Sequence, residues 1–147
     1  MKEKYLTILL AEDDQDDRYL ISEALDESGA ESQLYFVETG EELLEYLRHQ
    51  GRYSNREKYP RPGLILLDLN MPLMDGREAL AEIKSDSELK SIPIVVLTTS
   101  QADEDVNDTY ALGITGFITK PMTFKGLVDI MRSVGNYWLE SVTLPSR

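Results

Sequence analysis

The chain has 147 residues, 41% of them hydrophobic and 29% charged, with 27 acidic against 15 basic side chains and a formal net charge of −12. That size and balance fit one soluble domain with a real core, and the charge argues against gripping a polyanion such as DNA while favouring divalent cations or basic partners. The absence of cysteine excludes disulfides, thiolate catalysis and cysteine-held zinc or iron–sulfur centres, and the single histidine, His49, excludes any centre that needs several. No apolar run reaches bilayer length. The first residues, Met1-Lys2-Glu3-Lys4-Tyr5, lead into a strand pattern without the features of a secretory signal, so the cytoplasm is the expected location and no membrane partner is expected.

Residues 5–11 read as a first strand, apolar almost throughout and therefore central in its sheet. Glu12-Asp13-Asp14 and Asp16-Asp17 crowd its end. A helix follows, with Leu20, Ala24, Ile21 and Leu25 on one face until Ser28-Gly29 stops it. Asp14, Asp16 and Asp17 fall at or before its first turn, where unpaired backbone N–H groups favour negative charge. Capping does not account for Glu12 and Asp13.

Residues 33–37 read as a second strand. Thr39 and Glu42 form a capping box that opens a helix to about Gln50, burying Leu43, Leu44, Tyr46 and Leu47. His49, near that helix's end, reads as structural or solvent-exposed. Residues 51–62 carry Arg52, Arg56, Lys58 and Arg61 in a connection longer than the two to about six residues usual in such folds, and read as a tolerated surface insertion. Leu64-Ile65-Leu66-Leu67 is a short apolar run bounded by Pro62-Gly63 and Pro72, the pattern of a strand buried on both faces. It ends on Asp68. Ligands of open α/β sheets bind beyond the carboxyl ends of the strands, so Asp68 is a functional candidate, although an Asp that starts the next turn would look the same.

Turn residues around Asp75-Gly76 lead into a helix that buries Ala79, Leu80 and Ile83. Residues 93–97 are a fourth buried strand, closed by Thr98-Thr99-Ser100, and a weaker helix with Val106, Tyr110 and Leu112 ends at Gly113. Residues 115–119 form a short fifth strand before Lys120-Pro121. The last helix carries Phe124, Leu127, Val128, Met131, Val134 and Trp138 as a broad apolar stripe. Five strands alternating with five helices predict an α/β fold, a doubly wound parallel sheet covered on both faces. The whole chain, 1–147, reads as one domain with its core from about 5 to 140 and a short C-terminal tail.

Parallel strands would bring four ends to one edge: Glu12-Asp13, Asp68, Thr98 and Lys120. Carboxylates held together repel one another, so the set calls for a hard cation, and oxygen ligands with retained waters suit Mg²⁺. A lysine and a hydroxyl beside them are what a phosphoryl group needs, one to match its charge and one to donate a hydrogen bond. A structural Asp–Lys pair is the plainer explanation of any two of these residues. It does not explain all of them together.

With these residues in view, the chain resembles the receiver domain of two-component response regulators over essentially its whole length. The resemblance rests on Glu12-Asp13, on Asp68-Leu69-Asn70-Met71-Pro72 with Asp75-Gly76, on Thr98, and on Lys120-Pro121. The longer loop before the third strand and the absence of an output domain make it similar to the small stand-alone regulators of cyanobacterial and bacterial phytochrome kinases. The resemblance implies a flavodoxin-like sheet of receiver type, with Asp68 accepting a phosphoryl group from a kinase phosphohistidine. Asp13, Asp68 and the Asn70 backbone carbonyl would hold Mg²⁺ or Mn²⁺, with Glu12 acting through a water. Lys120 and Thr98 would contact the phosphoryl oxygens, and Thr98 with Phe117 would form the switch. The implied partners are a sensor histidine kinase, with a phytochrome as the candidate, and a second copy bound through the fourth helix, fifth strand and fifth helix. The resemblance also suggests a cis Lys120-Pro121 bond.

Phe117 lacks the hydroxyl of the Tyr often found at this position, and Thr99 is bulkier than the residue usual after the Thr, narrowing access to Asp68. Two other α/β readings fit less well. A phosphatase of the haloacid dehalogenase kind wants a second acid where Asn70 stands, and a flavodoxin-like cofactor binder would meet repulsion from Glu12-Asp13-Asp14. A receiver that has lost phosphorylation and acts as a fixed adaptor would not need the intact acidic, Thr and Lys set. Asn70 and Ser100 flank the acceptor and are expected to set how long the phosphoryl group survives, by positioning or excluding water. Asn70→Ala or Ser100→Ala should therefore change the dephosphorylation rate severalfold in a phosphate-release assay, and unchanged rates in both would remove that role.

Overall fold

The computed structural model describes residues 6–29, 31–71, 76–99 and 102–141, except the side chains of residues 103 and 139–141. Its strands are β1 Leu6–Ala11, β2 Ser32–Val37, β3 Leu64–Leu67, β4 Ile94–Thr98 and β5 Gly116–Thr119. The helices between and after them are α1 Gln15–Ser28, α2 Gly40–Leu47, α3 Gly76–Ser85, α4 Asp103–Leu112 and α5 Phe124–Gly135, followed by a widened turn at Asn136–Ser141. All strand pairs are parallel, in the order β2-β1-β3-β4-β5. Every residue of β3 and β4 is buried, which is why these strands read as unbroken apolar runs.

Alternation along the strands divides the core in two. Leu9, Ala11, Ile65, Leu67, Ile94 and Val96 face α2 and α3, while Ile8, Leu10, Leu64, Leu66, Val95 and Leu97 face α1 and α5. The α5 stripe of Leu127, Val128, Met131 and Val134, with Trp138 beyond it, fills the second half. On α1 the buried face is Ile21, Ala24 and Leu25, whereas Leu20 is 41% exposed. Ile114 and Trp138 are core residues, whereas Tyr110 and Leu112 are exposed on α4. No helix among the described residues is long and apolar enough to cross a membrane.

Local chemistry sets the boundaries. Asp14 caps α1 by accepting from the Asp16 and Asp17 N–H groups at 2.9 and 3.1 Å, and Gly29 ends it at φ 78°. Thr39 caps α2 by accepting from the Glu42 N–H at 3.0 Å, but the Glu42 carboxylate returns to the Glu38 N–H rather than to Thr39. The helix stops at Leu47, before the expected Gln50, because His49 (φ 54°) and Gly51 (φ 58°) turn the chain through left-handed conformations. No described peptide bond is cis, so Lys120-Pro121 is trans, the form an X–Pro bond prefers by roughly 0.5–1 kcal/mol.

The 51–62 segment is not a loose insertion. Tyr53 is 1% exposed, with its ring 5.1 Å from Tyr46 and 4.9 Å from Tyr59, and its hydroxyl donates to Glu42 Oε2 at 2.5 Å. The Tyr46 hydroxyl donates to the Pro60 carbonyl at 3.0 Å, and His49 Nε2 lies 3.0 Å from the Tyr59 carbonyl, which makes His49 structural. Aromatic side chains scattered without period in a polar stretch gave no sequence signal of this packing. Tyr53→Ala should cost about 3 kcal/mol and Tyr53→Phe about 1 kcal/mol in urea unfolding, the first losing ring packing and the second one hydrogen bond.

Candidate functional site

Parallel pairing extends past the ends of the strands and places the polar residues. Asp68 N–H donates to the Ala11 carbonyl at 3.0 Å, Glu12 N–H to Val37 at 3.0 Å and Lys120 N–H to Thr98 at 2.8 Å. Glu12, Asp68, Thr98 and Lys120 are thereby gathered at one edge of the sheet. Glu12 is 1%, Asp68 6% and Thr98 0% exposed, while Asp13 beside them is open to solvent.

Asp68 is held from three directions. Its Oδ1 accepts from Thr98 Oγ1 at 2.9 Å and from the Asn70 N–H at 3.1 Å, and its Oδ2 lies 3.5 Å from Lys120 Nζ. The Asn70 side chain donates to Thr98 Oγ1 at 3.4 Å. Behind Asp68, α3 begins so close that a Cβ on Gly76 would stand 2.5 Å from the Asp68 carbonyl oxygen and 2.8 Å from Leu69 Cα. Glycine at 76 is what allows helix and acceptor backbone to meet.

The Lys120 ammonium donates to Glu12 Oε1, to Asp17 Oδ2 at 2.8 Å and to Asp68 Oδ2. Burial disfavours its charge, but the hydrogen bonds to Asp17 and Glu12 and the nearby anions outweigh burial, so the ammonium holds its proton well above the ordinary lysine range. Glu12 is favoured in its neutral form instead: burial is the largest influence and, with the Asp68 charge, outweighs Lys120 and raises its pKa to about 7. Arg18 Nη1 donates to the Glu12 and Asp13 carbonyls at 3.1 and 3.2 Å, tying the acidic turn to α1.

One carboxylate oxygen from each of Glu12, Asp13 and Asp68 lies within 4.8 Å of the others. Three hard oxygen donors, two buried and one open where waters could complete a shell, suit a divalent cation such as Mg²⁺ or Mn²⁺. Among the expected residues, Glu12, Asp13, Asp68, Asn70, Thr98 and Lys120 meet here. Phe117 stands in β5 opposite Val96, half-buried against the core. Ser100 and Asp75 lie outside the described residues. Sequence reasoning missed Asp17, which it assigned to helix capping, and Arg18. No local signal marked Asp17, since an acid in the first turn of a helix is already accounted for by the unpaired N–H groups there.

Residues 8–132 match the model of the response regulator receiver domain. The chain is 45% identical over 139 residues to the response regulator Rcp1 of Synechocystis sp., covering 95% of this chain and 92% of Rcp1. It superposes on the crystal structure of the phosphorylated cyanobacterial phytochrome response regulator RcpA with a TM-score of 0.88 at 45% identity, over 97% of this chain and 99% of that one. For the Mn²⁺-bound form of Rcp1 the TM-score is 0.85 at 44% identity, over 96% and 99% of the two chains.

The raised pKa of Glu12 makes stability depend on pH. Between its unfolded value of 4.5 and about 7 the folded state holds the extra proton, so stability contributed by that proton declines as pH rises through this window. Without divalent cation, the stability of the parent chain relative to Glu12→Gln should fall by about 2 kcal/mol from pH 5 to pH 8, read by urea unfolding at each pH.

Proposed function

The chain belongs to the response regulator receiver family, and on that premise we propose that Asp68 accepts a phosphoryl group from the phosphohistidine of a sensor histidine kinase and that the product signals by protein contact. The observation that carries this reading is one buried carboxylate, Asp68, with a hydroxyl at 2.9 Å, an ammonium at 3.5 Å and two further acids beside it. An Asp68 oxygen attacks phosphorus, the P–N bond to the imidazole breaks as the new O–P bond forms, and the departing nitrogen keeps the electron pair and is protonated. Asp13, Asp68 and the Asn70 carbonyl would hold the cation directly, with Glu12 acting through a water. When bound, Mg²⁺, or Mn²⁺ in its place, offsets the negative charge on the phosphoryl oxygens.

Lys120 turns one N–H to a phosphoryl oxygen and Thr98 moves its hydroxyl from Asp68 to another. That shift draws the end of β4 inward and alters the packing of Phe117, so a covalent charge biases the α4–β5–α5 face. Self-association through this face, supported by exposed Tyr110 and Leu112, is the proposed output. The names of RcpA and its relatives support a phytochrome as the kinase. In this reading residues 1–147 form a single cytoplasmic receiver domain, a phosphoacceptor rather than a turnover enzyme, with Asn70 and Ser100 setting phosphoryl lifetime.

Incubation with Mg²⁺ and a small acyl phosphate should add one phosphoryl group by intact mass. The adduct should be lost in Asp68→Asn and without metal, and light scattering should show more dimer in the modified sample. An adduct that persists in Asp68→Asn, or Mg²⁺ binding with no adduct even at short times, would overturn the assignment.

A further inference from the structure

Resting on the phosphoacceptor reading, we propose that Asp17 is a positioning residue that shares the Lys120 ammonium with Asp68 and so keeps it from settling fully on the acceptor carboxylate. Asp17 is not part of the Glu12, Asp13, Asp68 oxygen cluster, and its backbone N–H is already engaged by the Asp14 cap. Its carboxylate reaches across from the first turn of α1 to Lys120, 103 residues away in sequence.

The arithmetic of donors explains the consequence. An ammonium has three N–H groups, and Lys120 faces three carboxylates, Glu12, Asp17 and Asp68, of which Asp68 is the most distant at 3.5 Å against 2.8 Å for Asp17. Asp17 is the most exposed of the three, with 37% of its side chain accessible against 1% for Glu12 and 7% for Asp68. Weaker screening would otherwise pull the cation onto the two buried carboxylates, because the attraction between opposite charges is strongest where water is excluded. A lysine settled on Asp68 would neutralise the nucleophile. With two N–H groups occupied by Glu12 and Asp17, the third is aimed along the line to Asp68, where an arriving phosphoryl oxygen can take it without the side chain being rebuilt.

The test follows phosphorylation by a small acyl phosphate at saturating Mg²⁺, using intact mass over time, in the full chain and in Asp17→Asn, Asp17→Ala, Asp17→Glu and Asp16→Asn. Saturating metal removes any effect through cation affinity. Asp16→Asn removes the same charge one residue away, where no contact with Lys120 exists among the described residues, and thermal unfolding reports whether each variant folds. Asp17→Asn and Asp17→Ala should be slowed about tenfold, Asp17→Glu should recover to within about threefold of the parent, and Asp16→Asn should match the parent. A rate in both Asp17→Asn and Asp17→Ala equal to or above the parent's, or an equal loss in Asp16→Asn, overturns the proposal while leaving the phosphoacceptor reading intact. No adduct on the parent chain removes both.

Discussion

Carboxylates crowded at the end of a parallel sheet repel one another, and the interaction that makes this arrangement tenable is the ammonium of Lys120 donating to Glu12, Asp17 and Asp68. A buried ion pair is weak evidence of stability, since desolvation offsets much of its attraction. Its presence here speaks for function. Glu12 relieves the remaining repulsion by moving its pKa to about 7, while Asp13, left in solvent, keeps one side of the cluster accessible to a cation.

The rest of the fold holds that edge in place. Parallel pairing carries Glu12, Asp68 and Lys120 one residue beyond their strands on backbone hydrogen bonds, so the site inherits the rigidity of a sheet whose central strands are buried throughout. Two helices then bear on it from opposite sides. Arg18 on α1 grips the carbonyls of Glu12 and Asp13, and the first turn of α3 presses on the Asp68 backbone at the one residue that has no side chain, Gly76.

Rigidity and freedom are unevenly shared between the faces. Tyr46, Tyr53 and Tyr59 interlock, with the hydroxyls of Tyr46 and Tyr53 hydrogen-bonded, closing that flank. On α4, by contrast, Tyr110 and Leu112 point outward, and the helix is linked to α3 by the paired bonds of Arg77 to Asp105 at 3.0 and 2.9 Å. The element is thus held more by polar contacts than by a deep apolar stripe, the kind of packing associated with low local stability.

Most of the architecture was legible along the chain because buried parallel strands leave unbroken apolar runs and their helices leave period-3.6 stripes. Leu64-Ile65-Leu66-Leu67, the α5 stripe and the caps at Asp14 and Thr39 are of this kind. The convergence of Glu12, Asp68, Thr98 and Lys120 followed from strand order, since parallel strands end at a common edge. What the sequence could not carry were contacts between residues distant in the chain whose types have an adequate local explanation. Asp17 looks like a helix-capping acid until Lys120 is brought beside it, Gly76 like a turn residue until α3 meets the Asp68 backbone, and Tyr53 like a loop residue until Tyr46 and Tyr59 enclose it. Helical and strand periods determine which face is buried, and only the assembled tertiary structure decides which side chains then meet.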